Sequence, residues 1–89
     1  MKNNYDLIIK EKSFLVLFAL RKSTKPKYGK ILAREAVCTL SYITKVLVTF
    51  EKIGLVTSSI EGRIKLVTLT PKGIKLTDQL QKIHELLVI

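Results

Sequence analysis

The stretch from Thr39 to Val56, TLSYITKVLVTFEKIGLV, constrains the fold of this chain more than any other part of the sequence. Thr39 can act as a helix N-cap, because its hydroxyl can accept a backbone N–H of the first turn. Gly54 follows as a C-terminal stop. The apolar residues between them recur at the three- and four-residue spacings of one helical face, which comprises Leu40, Ile43, Val46, Leu47 and Phe50. The sequence therefore predicts an amphipathic helix over about residues 39–53.

The opposite face of this helix carries small hydroxyls and cations and no acid: Ser41, Thr44, Lys45, Thr49 and Lys52. Such a face suits a groove lined with phosphates. It is equally the face of a solvated helix that happens to be basic, because polar outer faces are the norm. The helix alone does not decide between these two interpretations.

The charge of the whole chain favours a polyanionic partner. Its 89 residues, a length expected to form one domain over residues 1–89, include 16 cations and 7 acids, for a net charge of +9. Nucleic acid is the first candidate and an anionic membrane surface the second. A hydrophobic content of 47% in so small and charged a chain also indicates apolar surface buried in an oligomer.

Several classes of protein are not expected. The N-terminal residues lack the apolar segment of a signal peptide, and the longest apolar run, Phe14 to Leu20, is far shorter than the roughly 20 residues of a membrane span, so a cytoplasmic protein is expected. Cys38 and His84 are single, which predicts neither a disulfide within the chain nor a metal site. No catalytic spacing or glycine-rich phosphate loop occurs, so neither an enzyme nor a cofactor is expected.

The segments before the amphipathic helix predict two further helices. The first begins at Asn4 or Asp6 and ends near Lys22, and its second half is apolar on every side. A basic loop, Arg21 to Lys30, leads into a second helix that runs from Tyr28 or Gly29 to Ala36. A short turn then precedes Thr39, and the pair of helices over about residues 29–53 is typical of a helix-turn-helix.

The segments after Gly54 predict a hairpin and a last helix. Two β-branched runs over about residues 55–69 are separated by Glu61-Gly62, which is a hairpin signal, with Arg63 and Lys65 on the same side just past the tip. Thr70-Pro71 then begins a helix over about residues 71–88.

This last helix carries a heptad-like apolar seam of Leu76, Leu80, Ile83 and Leu87. The seam can pack on the chain's own first helix or on a second subunit. The apolar end of the sequence, residues 86–89, favours the second alternative, a homodimer formed through the first and last helices.

In this order, the residues from Ile31 to Leu76 resemble the winged helix-turn-helix domain of MarR-type regulators. The resemblance rests on Leu32-Ala33, FEKIGLV at residues 50–56, EGR at 61–63 and LTPKG at 69–73. The earlier stretch LVLFALRKSTKPKYG also resembles the first helix and loop of PadR-type relatives. The expected fold is α+β and mostly α: three helices, a β-hairpin wing and a C-terminal helix.

The resemblance implies a dimeric, DNA-binding transcription regulator whose helix 39–53 enters the major groove. By position, the groove-facing residues are Ser41, Tyr42, Thr44, Lys45 and Thr49, and the wing arginine, on a minor groove or the backbone, is Arg63. Phosphate contacts are expected from Lys27, Lys30, Lys45, Arg63 and Lys65.

The sequence also departs from the family's pattern. Val37 stands where the family usually has glycine in the turn, which predicts a wider or differently twisted turn. Leu40 and Val48 stand where polar residues are common. Val48 either touches a thymine methyl in the groove or indicates that this face does not read DNA. The family's additional terminal helices have no counterpart in the sequence, so the resemblance does not extend to an effector pocket.

Three functional hypotheses remain open on this basis. The first is a homodimeric regulator with a sequence preference, and the second is an architectural protein that coats DNA without one. The third is a winged helix that binds another protein through Val48 and its neighbours, because a fold does not determine a function.

Overall fold

The computed structural model describes residues 10–23 and 25–88. Over these residues the chain forms four helices and one two-stranded antiparallel hairpin, which together make a winged helix-turn-helix fold. In chain order the elements are α1 (Glu11–Lys22), α2 (Gly29–Glu35), α3 (Leu40–Lys52), β1 (Val56–Glu61), β2 (Ile64–Leu69) and α4 (Pro71–Leu87). The predicted fold class, mostly α with a β-hairpin, is confirmed.

The core lies where the three N-terminal helices meet the base of the hairpin. Its fully buried side chains include Leu17 of α1, Leu32 of α2, Phe50 of α3 and Val67 of β2. The apolar second half of α1 is explained by this arrangement. Val16, Leu17, Ala19 and Leu20 are buried, while its remaining apolar side chains pack at the edge of the core. The prediction of one helix from Asn4 or Asp6 to Lys22 is wrong in its first part, because Lys10 has an extended backbone (φ −92°, ψ 139°) and the helix begins only at Glu11. Asn4 and Asp6 themselves lie outside the described residues.

The turn between α2 and α3 retains the conformation that glycine favours. Val37 has a φ of 53°, in the left-handed region that residues other than glycine, asparagine and aspartate rarely adopt. The valine therefore accepts the left-handed backbone that a glycine would provide. Lys12 of α1 donates a 2.9 Å hydrogen bond from its Nζ to the Val37 carbonyl, which ties the turn to the first helix.

The hairpin closes through a two-residue turn of Gly62 and Arg63. Only the first of these has a positive φ, 63° at Gly62, which is the pattern of a type II′ turn. The strands pair in register from Val56 opposite Leu69 to Glu61 opposite Ile64. Val56 and Val67 are buried and anchor the base of the hairpin on the core, while its tip extends into solvent.

The two most characteristic sequence motifs, FEKIGLV and LTPKG, interlock. Thr70 caps α4 by accepting from the Gly73 N–H at 3.1 Å, and its hydroxyl donates to the Gly54 carbonyl. The Thr70 N–H donates to the Leu55 carbonyl at 3.0 Å. Gly73 lies directly against that carbonyl, since a Cβ at this position would be 2.0 Å from the Leu55 oxygen. The end of α3 and the start of α4 are thus one packed unit.

Helix α4 then runs back over α1. Arg21 Nε donates to Asp78 Oδ1 at 3.0 Å, and the Phe18 and His84 rings meet edge to face at a centroid distance of 5.7 Å. No helix within residues 10–23 and 25–88 is both long and apolar enough to cross a membrane.

Candidate nucleic-acid interface

Helix α3 buries most of the apolar face that the sequence predicts. Thr39 caps the helix, with its hydroxyl accepting from the Tyr42 N–H at 3.1 Å. Residues Ile43, Val46, Leu47 and Phe50 are buried against the core. Thirteen residues make a rod of about 20 Å, and the major groove of B-DNA is about 12 Å wide, enough to admit an α-helix.

Leu40 departs from the predicted buried face. It is 48% exposed, because it is the first residue of α3 and lies at the edge of the core. Its Cδ1 atom would lie 3.1 Å from a Cβ on Gly29, so the side chain lies over the start of α2. The apolar spacing therefore correctly predicted the burial of Ile43, Val46, Leu47 and Phe50, and its prediction that Leu40 is buried is wrong.

The predicted groove-facing residues of α3 differ in their exposure to solvent. Ser41, Thr44 and Lys45 are exposed, while Tyr42 packs partly against the core and Thr49 is half-buried. Val48, predicted on the outer face, is 44% exposed there. The outer surface of α3 therefore combines a lysine with hydroxyls and branched apolar groups.

The wing turn faces the same side of the molecule as this surface. Arg63 and Lys65 line one cleft together with Val48 and Thr44 of α3 and Lys30 of α2. The cleft has a volume of about 620 Å³ and is bordered by the outer face of α3, the start of α2 and the second strand of the hairpin. The fold thus brings together predicted site residues that are up to 35 positions apart in sequence, from Lys30 to Lys65.

Two of the predicted phosphate-contacting cations have acidic partners. Lys27 Nζ donates to Glu35 Oε2 at 2.7 Å, and its backbone pairs with Val67 beside the hairpin. Lys65 Nζ lies 3.5 Å from Glu51 Oε1 on α3. Among the described residues, Lys30, Lys45 and Arg63 have no carboxylate within ion-pair distance. Of the five predicted phosphate-contacting cations, these three therefore keep their full charge available to a polyanion.

Glu51 is the feature of this surface that the helix pattern did not reveal. The sequence predicted an outer face without acids, but Glu51 lines the cleft and accepts a 2.9 Å hydrogen bond from the Ser58 hydroxyl. Its position three residues after Val48 was a usable signal, because residues three apart share a helical face. The carboxylate fastens the wing to the end of α3.

Part of the apolar seam that was predicted to contact a second subunit is buried in the chain's own core, and part is exposed. Leu80 is only 5% exposed and Leu76 packs partly against the core, so Leu80 has no surface left for a partner. Ile83 and Leu87 are exposed, the latter by 72%. Helix α4 contacts α1 through Asp78 and His84, which meet Arg21 and Phe18, and Leu80 between them is buried. Ile83 and Leu87 are instead on the exposed side of its last turns. Leu80 must therefore be removed from the predicted interface.

The remaining residues singled out in the sequence carry no evident chemistry. Cys38 is partly buried and packs against the core. His84 is exposed. Within the part of the chain that the structure describes, no three histidine, cysteine or acidic side chains come together as a metal site would require.

No protein-family model matches the sequence. An uncharacterised protein of Archaeoglobus fulgidus is 27% identical over 84 residues, which cover 91% of this chain and 88% of that protein. A crystal structure from the same organism has a TM-score of 0.85 at 26% identity and covers 98% of this chain and 99% of the other. Both comparisons cover nearly the whole of the two chains.

Two further solved structures are also similar to this chain. BpsR of Bordetella bronchiseptica, whose DNA binding is regulated by 6-hydroxynicotinic acid, has a TM-score of 0.80 at 25% identity, with 91% of this chain and 59% of that one covered. A MarR-family transcriptional regulator of Silicibacter pomeroyi has a TM-score of 0.75 at 24% identity, with 91% and 61% covered. The resemblance to the winged helix-turn-helix of MarR-type regulators is confirmed at the level of the fold.

Proposed function

We propose that the chain binds double-stranded DNA as a homodimeric transcription regulator, with α3 in the major groove and Arg63 on a minor groove or the backbone. The observation that carries this proposal is the shared orientation of α3, the wing turn and Lys30 around one cleft. A duplex that enters from this side meets the rod and the wing together. Similar solved structures are transcription regulators, which supports the same conclusion.

Electrostatics supply most of the expected affinity. Lys30, Lys45 and Arg63 are exposed and, among the described residues, free of carboxylate partners. Each phosphate that they neutralise releases condensed counterions, so binding should weaken steeply as salt increases. Lys27 and Lys65 contribute less, because their ammonium groups already lie beside Glu35 and Glu51.

Base contacts are expected from the side chains in the middle of α3. Lys45 is long, exposed and central, and can donate to the guanine O6 and N7 atoms of the major groove. Ser41 lies one turn earlier on the same helix and is also exposed. Phosphate contacts set the position of the protein, and these base contacts set its preference.

Dimerisation would use the exposed end of α4. Ile83, Leu86, Leu87 and Val88 are exposed large apolar side chains beyond the core. A two-fold axis at this surface would present two copies of α3 to one duplex. Their separation should be about 34 Å, one turn of DNA, for both to enter successive major grooves.

The test is selection of bound duplexes from a random pool, followed by affinity measurements on the selected site and on random DNA at several salt concentrations. Lys45→Ala should weaken the selected site more than random DNA, by about 1–3 kcal/mol. Arg63→Ala should weaken both equally and reduce the slope of log affinity against log salt by about 1. Lys75→Ala, at an exposed lysine of α4 that does not line the cleft, is the matched control and should leave both affinities unchanged.

Each alternative function has its own signature in this experiment. Equal affinity for selected and random duplexes would indicate an architectural DNA-binding protein. Failure to bind any duplex at moderate salt would indicate a protein-binding winged helix, an alternative favoured by the exposed Val48 and Leu40. Equal losses on both duplexes for Lys45→Ala would remove Lys45 from the base-reading residues.

A further inference from the structure

Exposed branched apolar side chains occupy the part of α3 that would face the bases. Val48 is 44% exposed and Leu40 is 48% exposed, and both line the cleft between α3 and the wing. Ile64 of the wing lines the same cleft and is also exposed. A polar groove that carries phosphates gives these groups no favourable contact, so they need an apolar feature in whatever the surface binds.

The threonines of α3 add to this apolar character. The Thr44 hydroxyl donates to the Leu40 carbonyl at 2.9 Å, and the Thr49 hydroxyl donates to the Lys45 carbonyl at 3.2 Å. Each O–H proton is therefore used within the helix, as is common for threonine four residues after a carbonyl. Neither hydroxyl can donate to a base without breaking that bond, whereas the methyl group of each threonine forms no hydrogen bond and stays available for apolar contact.

Only one base offers an apolar group to such a surface. In the major groove thymine carries a C5-methyl group, while guanine, cytosine and adenine present donors and acceptors there. Covering those polar edges with Val48 and Leu40 would leave them without hydrogen bonds, which is costly. Covering a thymine methyl removes apolar surface from water on both sides of the contact.

We infer that the recognition surface selects its target through thymine C5-methyl groups, which are contacted by Val48, Leu40 and the Thr44 methyl. The preferred ligand is therefore a duplex with thymines at the positions that face the first half and the middle of α3. Lys45 provides the polar contact beside them. This inference rests on the proposed DNA-binding function and adds the chemistry that the protein reads.

The test compares the selected duplex with the same duplex in which deoxyuridine replaces every thymidine. The two differ only in the C5-methyl groups, so the ratio of their dissociation constants measures methyl recognition. Wild-type protein should bind the uracil duplex about fourfold more weakly for each methyl group contacted, which is the effect of burying one methyl-sized group. The ratio should persist at high salt, because it does not depend on phosphate contacts.

Variants assign the effect to the surface. Val48→Ala should bring the thymine-to-uracil ratio closer to one. Val37→Ala is the matched control, since Val37 is an exposed valine in the turn that does not line the cleft, and it should keep the wild-type ratio. Lys45→Ala should lose affinity for both duplexes and also keep the ratio. Thermal melting of each variant verifies that the fold is retained.

The outcomes separate this inference from the proposed function. Tight binding with equal affinity for the thymine and uracil duplexes would overturn methyl recognition and leave the DNA-binding function intact. A thymine preference that Val48→Ala does not reduce would overturn the assignment to this surface and indicate readout of groove shape. Absence of binding to every duplex would overturn both.

Discussion

At the scale of single residues, Val37 has a β-branched side chain on a left-handed backbone, which such residues rarely adopt. Its φ of 53° costs an L-residue about 1–2 kcal/mol, and its exposed side chain recovers little of that by packing. Glycine would remove this conformational cost. Its greater freedom in the unfolded chain would at the same time lower the free energy of unfolding by about 0.5–1 kcal/mol. Val37→Gly should therefore raise the free energy of unfolding by up to about 1 kcal/mol, measured by urea denaturation.

The control for this change is Val37→Ala. Alanine keeps the Cβ atom that conflicts with a left-handed backbone and removes only the branch, so it should gain much less than glycine. If Val37→Gly were less stable than the wild type, the Lys12 hydrogen bond to the Val37 carbonyl would have to depend on the rigidity that valine gives the turn.

At the scale of elements, the junction of α3, β1 and α4 brings the backbone of α4 directly against the backbone that follows α3. A Cβ on Gly73 would lie 2.0 Å from the Leu55 carbonyl oxygen, which is backbone and cannot move aside alone. Gly73→Ala should therefore displace α4 and lower the free energy of unfolding by about 1–3 kcal/mol. Chemical denaturation with an unchanged m-value would measure this loss.

Gly29→Ala provides a matched control at the scale of elements. This glycine also belongs to a helix, but its added Cβ would meet side chains only: the end of Leu40 at 3.1 Å, which can rotate, and Ile43 Cγ2 at an ordinary 3.8 Å. Its effect should be small. Similar losses for the two variants would show that steric conflict at Leu55 is not what makes Gly73 necessary.

At the scale of the whole molecule, the exposed end of α4 determines the proposed assembly. Leu87 is 72% exposed and outside the core, so Leu87→Asp should leave the fold intact while preventing association. Sedimentation equilibrium should then give a monomer, and affinity for a two-fold symmetric site should fall because a second recognition helix no longer contributes.

The control for assembly is Ile60→Asp, the same kind of change at an exposed residue near the tip of the wing. It should remain as associated as the wild type. A Leu87→Asp variant that sediments as the wild type does would place any interface elsewhere than on α4. Leu80 is unsuitable for this test, because its burial means that an aspartate there would unfold the core.

Much of the fold was predictable from local patterns. Thr39 and Thr70 mark helix starts through their capping hydroxyls, and Gly62 marks the hairpin turn through its positive φ. These signals depend only on a few neighbouring residues, so they can be identified in the sequence without knowledge of the rest of the molecule. The candidate site was less predictable, since Glu51 and Lys65 belong to different elements and only the closed fold brings them to 3.5 Å.

By itself, the sequence determined which elements form, where those from α2 onward start and stop, and that the chain carries an excess of positive charge. Helical and strand periods specify the direction of a side chain about its own element, and nothing more. Only the tertiary structure decided what lies opposite each face: core for Leu80, solvent for Leu40, and acidic partners for Lys27 and Lys65. Exposure and ion pairing depend on the packing of elements distant in sequence, which no local period encodes.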